Sequence, residues 1–257
     1  MKHSPTVLGM DLGSRNVKIC LMKDGRIGQK ILIESMAFYR TCGIRSDEGF
    51  SVDISGLGYF GVDRIVATGY GRMSAELTGA ESISELKAHF LGACRQTPFE
   101  SFTLLDMGGQ DYKVIRVVNG KMTDMATNDK CAASTGRYLE NMARVLGISI
   151  EDIGEYHEDP VKLSNTCAIF GESELIGLIV RGEPVRRLAA GINRSVVERV
   201  APLIERMNED VIVMSGGVAQ NAAVVKILSG ILDKDVYVLD DPLYNGAIGC
   251  CVSGGKE

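Results

Sequence analysis

Residues 11–25 read DLGSRNVKICLMKDG, and residues 106–120 read DMGGQDYKVIRVVNG. The two stretches align without a gap at an offset of 95 residues, and they share Asp-x-Gly at the start, a central Lys and a closing Asp-Gly or Asn-Gly. An apolar run precedes each Asp, and a second apolar run leads to the closing dipeptide, which favours a tight hairpin turn. The sequence therefore predicts one hairpin that is present twice.

The loop after each Asp has the composition of a phosphate-binding loop. Glycines allow backbone N–H groups to approach anionic oxygens, and a neighbouring carboxylate can hold a hydrated Mg²⁺. Either hairpin alone fits an ordinary Asp-x-Gly turn equally well, but duplication at a constant offset favours a binding role for both. Two such hairpins that face each other could grip one polyphosphate, with Lys18 and Lys113 adding positive charge.

A third glycine-rich turn lies near the end of the chain, where residues 215–221 read SGGVAQN. It follows the apolar run 211–214 and precedes a helical pattern over 222–232. Backbone N–H groups at such a strand-to-helix turn can support a nucleoside. The order of the three turns predicts a nucleotide-binding protein.

Hydrophobic periodicity predicts an α/β fold. We expect a first lobe over 1–98 with the first phosphate loop, and a second lobe over 99–243 with the second phosphate loop and the adenosine loop; a final helix in 244–257 would return to the first lobe. Residues 40–62 show no firm period. The predicted strands are 7–10, 17–22, 27–33, 64–67, 102–106, 112–118, 121–126, 211–214 and 235–239, and the predicted helices are 82–96, 131–146, 167–181, 186–208, 219–230 and 244–253.

Composition indicates a compact protein of 257 residues with 30 glycines and 45% hydrophobic residues. A net charge of −5 gives no general electrostatic basis for binding nucleic acid or an anionic membrane. No apolar run approaches the roughly 20 residues of a membrane span. Because the first residues also lack the pattern of an export signal, we expect a cytoplasmic protein.

Seven cysteines in a reducing compartment are expected to be core thiols, metal ligands or catalytic groups. Cys131 and Cys167 each follow cap-like polar residues and precede a helical pattern, which predicts thiolates at helix N-termini, although burial is an alternative. One chain would supply two thiolates, whereas an iron–sulfur cluster or a structural zinc usually takes four ligands. The count suggests a twofold homodimer. Four other cysteines lie in apolar runs and are predicted core residues: Cys20, Cys94, Cys250 and Cys251. No role is assigned to Cys42.

Five stretches resemble one specific family: ATGYGR (67–72), DMGGQDYKVI (106–115), NDKCAASTGR (128–137), NTCAIFGESE (165–174) and SGGVAQN (215–221). They are similar to the activators of 2-hydroxyacyl-CoA dehydratases, which are ATPases of the BadF/BadG/BcrA/BcrD type and include the reductases of double-cubane cluster proteins. The three turns in this order also resemble the acetate kinase, sugar kinase, heat-shock chaperone and actin superfamily, built from duplicated ribonuclease H-like lobes.

The resemblance implies ATP-driven electron transfer. It implies one 4Fe-4S cluster per homodimer, held by Cys131 and Cys167, and ATP or ADP with Mg²⁺ in each protomer. The acceptor would be an iron–sulfur enzyme such as a dehydratase, a reductase or a double-cubane protein, and the electron source would be ferredoxin or flavodoxin.

The resemblance also implies roles for individual residues. By analogy with other phosphoryl-transfer sites, Asp106 would organise Mg²⁺ and water and Gln110 would position the attacking water, although Asp11 or Asp111 could take either part. Two positions depart from the family, because Arg15 stands where Ser or Thr is usual and Ser134 stands where Gly is common. The implied nucleotide contacts are Asp11, Gly13, Ser14, Arg15, Asn16 and Lys18 in the first loop, Gly108 and Gly109 in the second, and Gly216, Gly217, Val218 and Asn221 on the adenosine side.

Two alternative functions fit the same residues. A small-molecule kinase could use the same fold, since fold alone does not determine function, but it would need a substrate pocket with its own carboxylate base. An ATP-binding dimer could instead hold a structural Zn²⁺ in the four-thiolate site.

Overall fold

The computed structural model describes residues 4–47, 49–59, 61–69, 71, 76–128, 135–164 and 168–255. The chain divides into two compact units, which we call the first unit (Met1–Pro98 with Leu243–Glu257) and the second unit (Phe99–Pro242). In chain order the strands and helices are β1 Val7–Leu12, β2 Asn16–Lys23, β3 Arg26–Glu34, α1 Ser35–Cys42, β4 Gly43–Ser46, β5 Gly49–Val52, β6 Arg64–Thr68, β7 Glu76–Leu77, β8 Ala80–Ser82, α2 Glu85–Gln96, β9 Phe102–Met107, β10 Tyr112–Val118, β11 Lys121–Thr127, α3 Gly136–Leu146, α4 Ile150–Ile153, α5 Ala168–Val180, α6 Val185–Met207, β12 Val211–Ser215, α7 Ala222–Leu232, β13 Asp235–Val238 and α8 Asn245–Gly254.

Each unit contains a five-stranded sheet with the same topology. The order is β3-β2-β1-β6-β8 in the first unit and β11-β10-β9-β12-β13 in the second. In both sheets three antiparallel strands form a meander, and two parallel strands follow on the other side of the first strand. Asp11 pairs with Lys18 across β1 and β2, and Asp106 pairs with Lys113 across β9 and β10. The predicted duplication is therefore confirmed down to the strand register.

The closing turns of the two meanders are also equivalent. Asp24 and Asn119 both have φ of 50°, and the glycines that follow, Gly25 and Gly120, have φ of 71° and 67°. Two successive residues with positive φ match the twist of a two-residue hairpin, which explains the Asp-Gly and Asn-Gly sequences. The predicted hairpin turns are confirmed.

The central strands β1 and β9 are buried along their whole length because helices cover both sheets. In the first unit, α8 packs against α2 and β1, and a Cβ at Gly9 would meet the backbone of α8. Cys250 and Cys251 of α8 are buried there with Cys20, and burial raises the pKa of Cys251 to about 12. These three cysteines are core residues as predicted, while Cys94 is only half-buried.

The core of the second unit lies between its sheet and the helices α3, α6 and α7. Helix α6 is long because apolar residues recur at helical spacing over six turns, and it continues through Pro202. Its buried face includes Leu188, Ile192, Val196 and Val200, and α3 contributes Tyr138, Leu139 and Met142.

Three predicted helix starts are wrong. The helix predicted from residue 131 begins at Gly136, because Thr135 is extended with φ −125° and ψ 174°. The helix predicted from 219 begins at Ala222, after a 3₁₀ turn over Gly217–Gln220, because Asn221 caps it. The helix predicted from 82 begins at Glu85, since the Ser84 side chain accepts a hydrogen bond from the Lys87 N–H.

The stretch without a clear period forms a small subdomain of the first unit. Helix α1 leads into a three-stranded sheet of order β4-β5-β7. These strands are short, and β4 is largely exposed, so no alternating pattern marks them. Within the described part of the chain, no helix combines the length and the apolar character needed to cross a membrane.

Candidate nucleotide-binding site

The first phosphate loop begins where β1 ends. Asp11 is buried, and the Lys18 Nζ lies 3.2 Å from its Oδ2. A Cβ at Gly13 would lie 2.7 Å from the Asn16 carbonyl oxygen and 2.9 Å from the Lys18 Nζ, so only glycine fits beneath this ammonium group. Ser14 is exposed. The loop thus places a glycine backbone, a carboxylate and an ammonium group together, as a phosphate with Mg²⁺ requires.

The first residue of α1 fastens this loop. The Ser35 Oγ donates a hydrogen bond of 2.7 Å to the Gly13 carbonyl oxygen, and the Ser35 N–H donates one of 2.9 Å to the Arg15 carbonyl oxygen. Sequence reasoning missed Ser35 because it lies 22 residues from Gly13. A serine at the start of an unrecognised helix was the only local signal.

The second phosphate loop carries the same register but different side-chain partners. Asp106 is buried, and its Oδ1 accepts a hydrogen bond of 2.7 Å from the Ser215 Oγ. The Lys113 Nζ lies 2.7 Å from Asp111 Oδ2. The Gly108 N–H donates to the Asp111 carbonyl oxygen at 2.9 Å and closes the loop. The two loops are therefore equivalent in strand register, and the second has Asp111 and Ser215 as side-chain partners of its Lys and Asp.

Two exposed or half-exposed residues of this loop are free to face a ligand. Gly109 is half-buried and Gln110 is exposed. Their N–H groups donate to no described residue. Gln110 therefore lies where a side chain can reach solvent, as a water-positioning residue must.

A glycine turn that follows a parallel strand is also present in both units, and sequence reasoning did not reveal this second duplication. Gly69 after β6 and Gly216 after β12 have φ of 97° and 85°. A Cβ at Gly69 would lie 2.6 Å from the Leu12 carbonyl oxygen, and one at Gly216 would lie 2.6 Å from the Met107 carbonyl carbon. Leu12 and Met107 are equivalent in the repeat, but the glycines are 147 residues apart, so an alignment at the offset of the hairpins does not reveal them.

Only some residues of the predicted adenosine loop are accessible to a ligand. Gly217 is exposed, and the Gly216 N–H donates to the Pro242 carbonyl oxygen at 2.8 Å. The Val218 side chain lies in the core of the second unit. The Asn221 Oδ1 caps α7 by accepting from the Val224 N–H at 2.9 Å, and its Nδ2 donates to the Asn193 Oδ1 at 3.0 Å. The side chains of Val218 and Asn221 therefore support the loop from inside.

The predicted metal ligands, Cys131 and Cys167, lie outside the described residues, as does Ser134. Helix α3 begins at Gly136, with Thr135 as its N-cap. Helix α5 is described from Ala168. Among the described residues, no group of three or more His, Cys, Asp or Glu side chains could hold a metal ion.

One buried hydroxyl lies close to the first phosphate loop. The Tyr39 hydroxyl fills the space that a Cβ at Gly71 would need, and it has no hydrogen-bond partner among the described residues. Burial, and to a smaller extent the charge of Asp11, raise the pKa of Tyr39. The ring is held by an edge contact with Phe38 and a tilted contact with Phe50.

Known proteins are similar to this chain over nearly its whole length. The (R)-2-hydroxyglutaryl-CoA dehydratase activating ATPase of Acidaminococcus fermentans is 38% identical over 257 residues, which cover 97% of each chain. The activator of lactoyl-CoA dehydratase of Anaerotignum propionicum is 37% identical over 252 residues, which cover 95% of each chain. The structure of the activator of the 2-hydroxyisocaproyl-CoA dehydratase from Clostridium difficile with bound ADPNP has a TM-score of 0.83 and 31% identity, and the match covers 97% of this chain and 94% of that chain.

More distant structures share the fold alone. The ethanolamine utilization protein EutJ from Carboxydothermus hydrogenoformans has a TM-score of 0.60 at 15% identity, covering 96% of this chain and 90% of its own. A ROK family glucokinase from Streptomyces griseus has a TM-score of 0.57 at 12% identity, covering 95% of this chain and 97% of its own. The predicted fold class is confirmed: duplicated ribonuclease H-like lobes of the acetate kinase, sugar kinase, heat-shock chaperone and actin superfamily.

A family model matches almost the whole chain. The family model described as the BadF/BadG/BcrA/BcrD ATPase family matches residues 8–254, which include both phosphate loops, the adenosine loop and both candidate ligand cysteines. Its members are ATPases. The chain therefore belongs to the BadF/BadG/BcrA/BcrD ATPase family.

Proposed function

We propose that this protein is an ATP-dependent electron donor that reduces a partner iron–sulfur enzyme. The observation that carries the proposal is the pair of Asp–Lys hairpins in one register, each with a glycine loop, in a chain that is 38% identical to a dehydratase activating ATPase over 97% of its length. Hydrolysis of ATP would make delivery of a low-potential electron directional.

The nucleotide is bound by both phosphate loops and the adenosine loop in this proposal. Asp11 and Lys18, which lie 3.2 Å apart, bind Mg²⁺ and a phosphate oxygen, with Gly13, Ser14 and Asn16 as backbone contacts. Asp106, oriented by Ser215, organises Mg²⁺ and water, and exposed Gln110 positions the attacking water. The remaining contacts come from Arg15 in the first loop, Gly108 and Gly109 in the second, and the backbone of Gly216, Gly217 and Val218.

The residues fit a nucleotide on physical grounds. At Gly13 a Cβ would lie 2.7 Å from the Asn16 carbonyl oxygen, too close for any side chain, and at Gly108 a Cβ would lie 3.1 Å from Asp111 Oδ1, which is a tight contact. Backbone N–H groups beside a fixed ammonium group are suited to anionic oxygens. Asn221 contributes through the start of α7, which its side chain caps.

Cys131 and Cys167 are the proposed ligands of the 4Fe-4S cluster, shared between two protomers. Of the five described cysteines, Cys20, Cys42, Cys250 and Cys251 are buried, and burial raises the pKa of Cys42, Cys250 and Cys251. A raised pKa disfavours the thiolate that a metal binds. When bound, the cluster supplies one-electron redox chemistry, and two thiolates per chain account for a homodimer.

The relatives support one class of partner. We propose an iron–sulfur enzyme of the dehydratase, reductase or double-cubane class as the acceptor, and the dehydratase activators among the relatives support the first of these. Ferredoxin or flavodoxin is the proposed electron source, and the cytoplasm is the proposed location.

Anaerobic purification tests the proposal directly. Iron and sulfide analysis should give about four of each per dimer, and the EPR signal of the reduced cluster should change on addition of ATP. Replacing Cys131 or Cys167 by serine should remove the iron while leaving ATP binding intact. A colourless monomer, or zinc in place of iron, would overturn the electron-transfer role, and phosphorylation of a small molecule would replace it by a kinase function.

A further inference from the structure

The adenosine loop contains two successive glycines and therefore has little stiffness of its own. Gly216 has φ of 85°, in the left-handed region, and Gly217 is exposed. Glycine has the widest conformational freedom of any residue, so this backbone loses much entropy when it is held in one geometry. The Gly216 N–H donates to the Pro242 carbonyl oxygen at 2.8 Å, which fixes the start of the loop. The hydrogen bonds at the other end then decide how well the exposed part is ordered.

Asn221 ends the loop and makes hydrogen bonds in three directions. Its N–H donates to the Val218 carbonyl oxygen at 3.0 Å and closes the 3₁₀ turn. Its Oδ1 accepts from the Val224 N–H at 2.9 Å, and its Nδ2 donates to the Asn193 Oδ1 at 3.0 Å. The first two bonds are local, whereas the third joins the loop to α6, 28 residues away in the sequence.

Asn193 is a polar residue in the middle of the apolar face of α6. It has no exposed surface, and the residues three and four positions away on either side are buried and apolar: Ala189, Ala190, Val196 and Val197. Its Nδ2 donates to the Ile153 carbonyl oxygen at 2.7 Å and to the Tyr156 carbonyl oxygen at 2.8 Å. Both donors and the acceptor of this amide are therefore used. The helical pattern favours an apolar residue here, and a buried amide whose hydrogen bonds are all satisfied specifies one arrangement of the groups that it joins.

The two carbonyl groups that accept from this amide belong to a segment, residues 153–161, that is itself fastened to α6. The Val161 N–H donates to the Arg187 carbonyl oxygen at 3.1 Å. The same segment also holds the first turn of α7, since the Gly154 carbonyl oxygen accepts from the Ala223 N–H at 2.9 Å. The buried amide thus connects a flexible glycine loop to elements whose positions are fixed by other contacts.

We propose that Asn193 is a positioning residue that holds the adenosine loop in the conformation that binds the nucleoside part of ATP. The inference rests on the proposed function, because it requires a nucleotide at Gly216 and Gly217. Asn193 touches no ligand and acts through Asn221. A loop that is already ordered does not have to be immobilised when the ligand binds, so the amide contributes to affinity. Hydrolysis takes place at the phosphate loops, and the amide therefore contributes little to its rate.

Replacement of Asn193 by leucine tests this assignment in the full chain, purified without oxygen. Asn193→Leu approximately keeps the side-chain volume and removes all three hydrogen bonds. The Kd of ADPNP with Mg²⁺ and the KM for ATP should each rise about three- to tenfold, because the loop must now be ordered on binding. The kcat at saturating ATP should stay within about twofold of the wild-type value. Isothermal titration calorimetry and steady-state hydrolysis measure these constants.

Hydrogen–deuterium exchange separates ordering of the loop from a general loss of stability. In ligand-free Asn193→Leu, peptides covering 216–221 should exchange faster than in the wild type, and saturating ADPNP with Mg²⁺ should return them to the wild-type rate. If these peptides exchange at the wild-type rate in the ligand-free variant, or if the increase extends over the whole second unit, the amide serves stability alone and the proposal is overturned.

Two further variants keep the test decisive. Asn221→Ser retains a side-chain oxygen for the Val224 N–H, because serine is a favoured N-cap, but it removes the donor to Asn193. It should weaken ADPNP binding as Asn193→Leu does, and it replaces that variant if leucine prevents folding. Ser195→Ala is the matched control on the same helix, since its Oγ donates to the Ile192 carbonyl oxygen at 2.8 Å and makes no hydrogen bond to the adenosine loop among the described residues; its Kd and KM should equal those of the wild type.

The constants of the folded variants decide the outcome. Unchanged Kd and KM in Asn193→Leu or in Asn221→Ser contradict the proposal, and so does a lower kcat with an unchanged KM. A control variant that binds ADPNP as weakly as Asn193→Leu also contradicts it, because any lost hydrogen bond of α6 would then have the same effect. If the wild type neither binds ADPNP nor hydrolyses ATP, the proposed nucleotide function itself has failed.

Discussion

Replacing Ser215 by alanine is expected to lower the free energy of unfolding and the turnover of ATP. Ser215 has no exposed surface, and its Oγ donates to the Oδ1 of Asp106, which is 2% exposed, at 2.7 Å. A hydrogen bond to a charged group contributes about 1.5–3 kcal/mol, and the alanine variant should lose about that amount. Because Asp106 would also lose one of the hydrogen bonds that orient it, a loss of about 1.4 kcal/mol in the transition state would reduce kcat about tenfold.

The first unit provides a matched control for this prediction. Thr68 pairs with Asp11 across the parallel strands as Ser215 pairs with Asp106, but the Thr68 hydroxyl donates to the Ile83 carbonyl oxygen at 3.0 Å. Thr68→Val removes a hydrogen bond to a neutral acceptor and keeps the shape of the side chain, so it should cost only about 0.5–1.5 kcal/mol.

Urea unfolding followed by far-UV circular dichroism measures the stability of both variants, and steady-state hydrolysis of ATP measures kcat. The reasoning is refuted if Ser215→Ala is no less stable than Thr68→Val. It is also refuted if Ser215→Ala hydrolyses ATP at the wild-type rate, since the role of Asp106 in hydrolysis would then not depend on the Ser215 hydroxyl.

Three other predictions concern stability. Gly69→Ala and Gly216→Ala should each lower the free energy of unfolding, measured by thermal unfolding, by more than about 3 kcal/mol, because a positive φ and a backbone collision coincide at both positions. Gly120 has a positive φ but open space around it, so Gly120→Ala should lower it by only about 1 kcal/mol. Tyr39→Phe should leave stability unchanged or raise it by up to about 1 kcal/mol, since it removes a hydroxyl without a partner among the described residues, and a clear loss of stability would contradict this. The folded-state pKa of Cys251 is about 12 against an ordinary value of 9.0, so the unfolded chain loses this proton first and stability should fall as pH rises from 9 to 12; Cys251→Ser should flatten that slope by about 1.4 kcal/mol per pH unit.

The central strands of both units were predictable because their sequence signals are local and strong. Continuous apolar runs mark β1 and β9, and the Asp-Gly and Asn-Gly pairs mark turns that need two positive φ values. A constant offset between the hairpins then related two regions without any structural information.

Features that depend on distant partners could not be predicted. The start of α3 is set by carbonyl groups of Gly108 and Gly109, which no sequence near residue 136 reveals, so the periodic pattern was extended too far toward Cys131. Ser35 and Ser215 act through partners far away in the chain, and Gly69 escaped notice because insertions alter its offset from Gly216. Short exposed strands such as β4 bury too little surface to impose a period.

The first unit is built from two separate stretches of the chain, and this has a consequence for folding during synthesis on the ribosome. Its sheet is covered by α8, and Cys250 and Cys251 of that helix belong to the core beside β1. The second unit, by contrast, is one continuous stretch, Phe99–Pro242. Domains usually fold in the order in which they emerge. Here the order is reversed: the later half can reach its native state while the earlier half, already translated, still awaits the last helix and must be kept from aggregating.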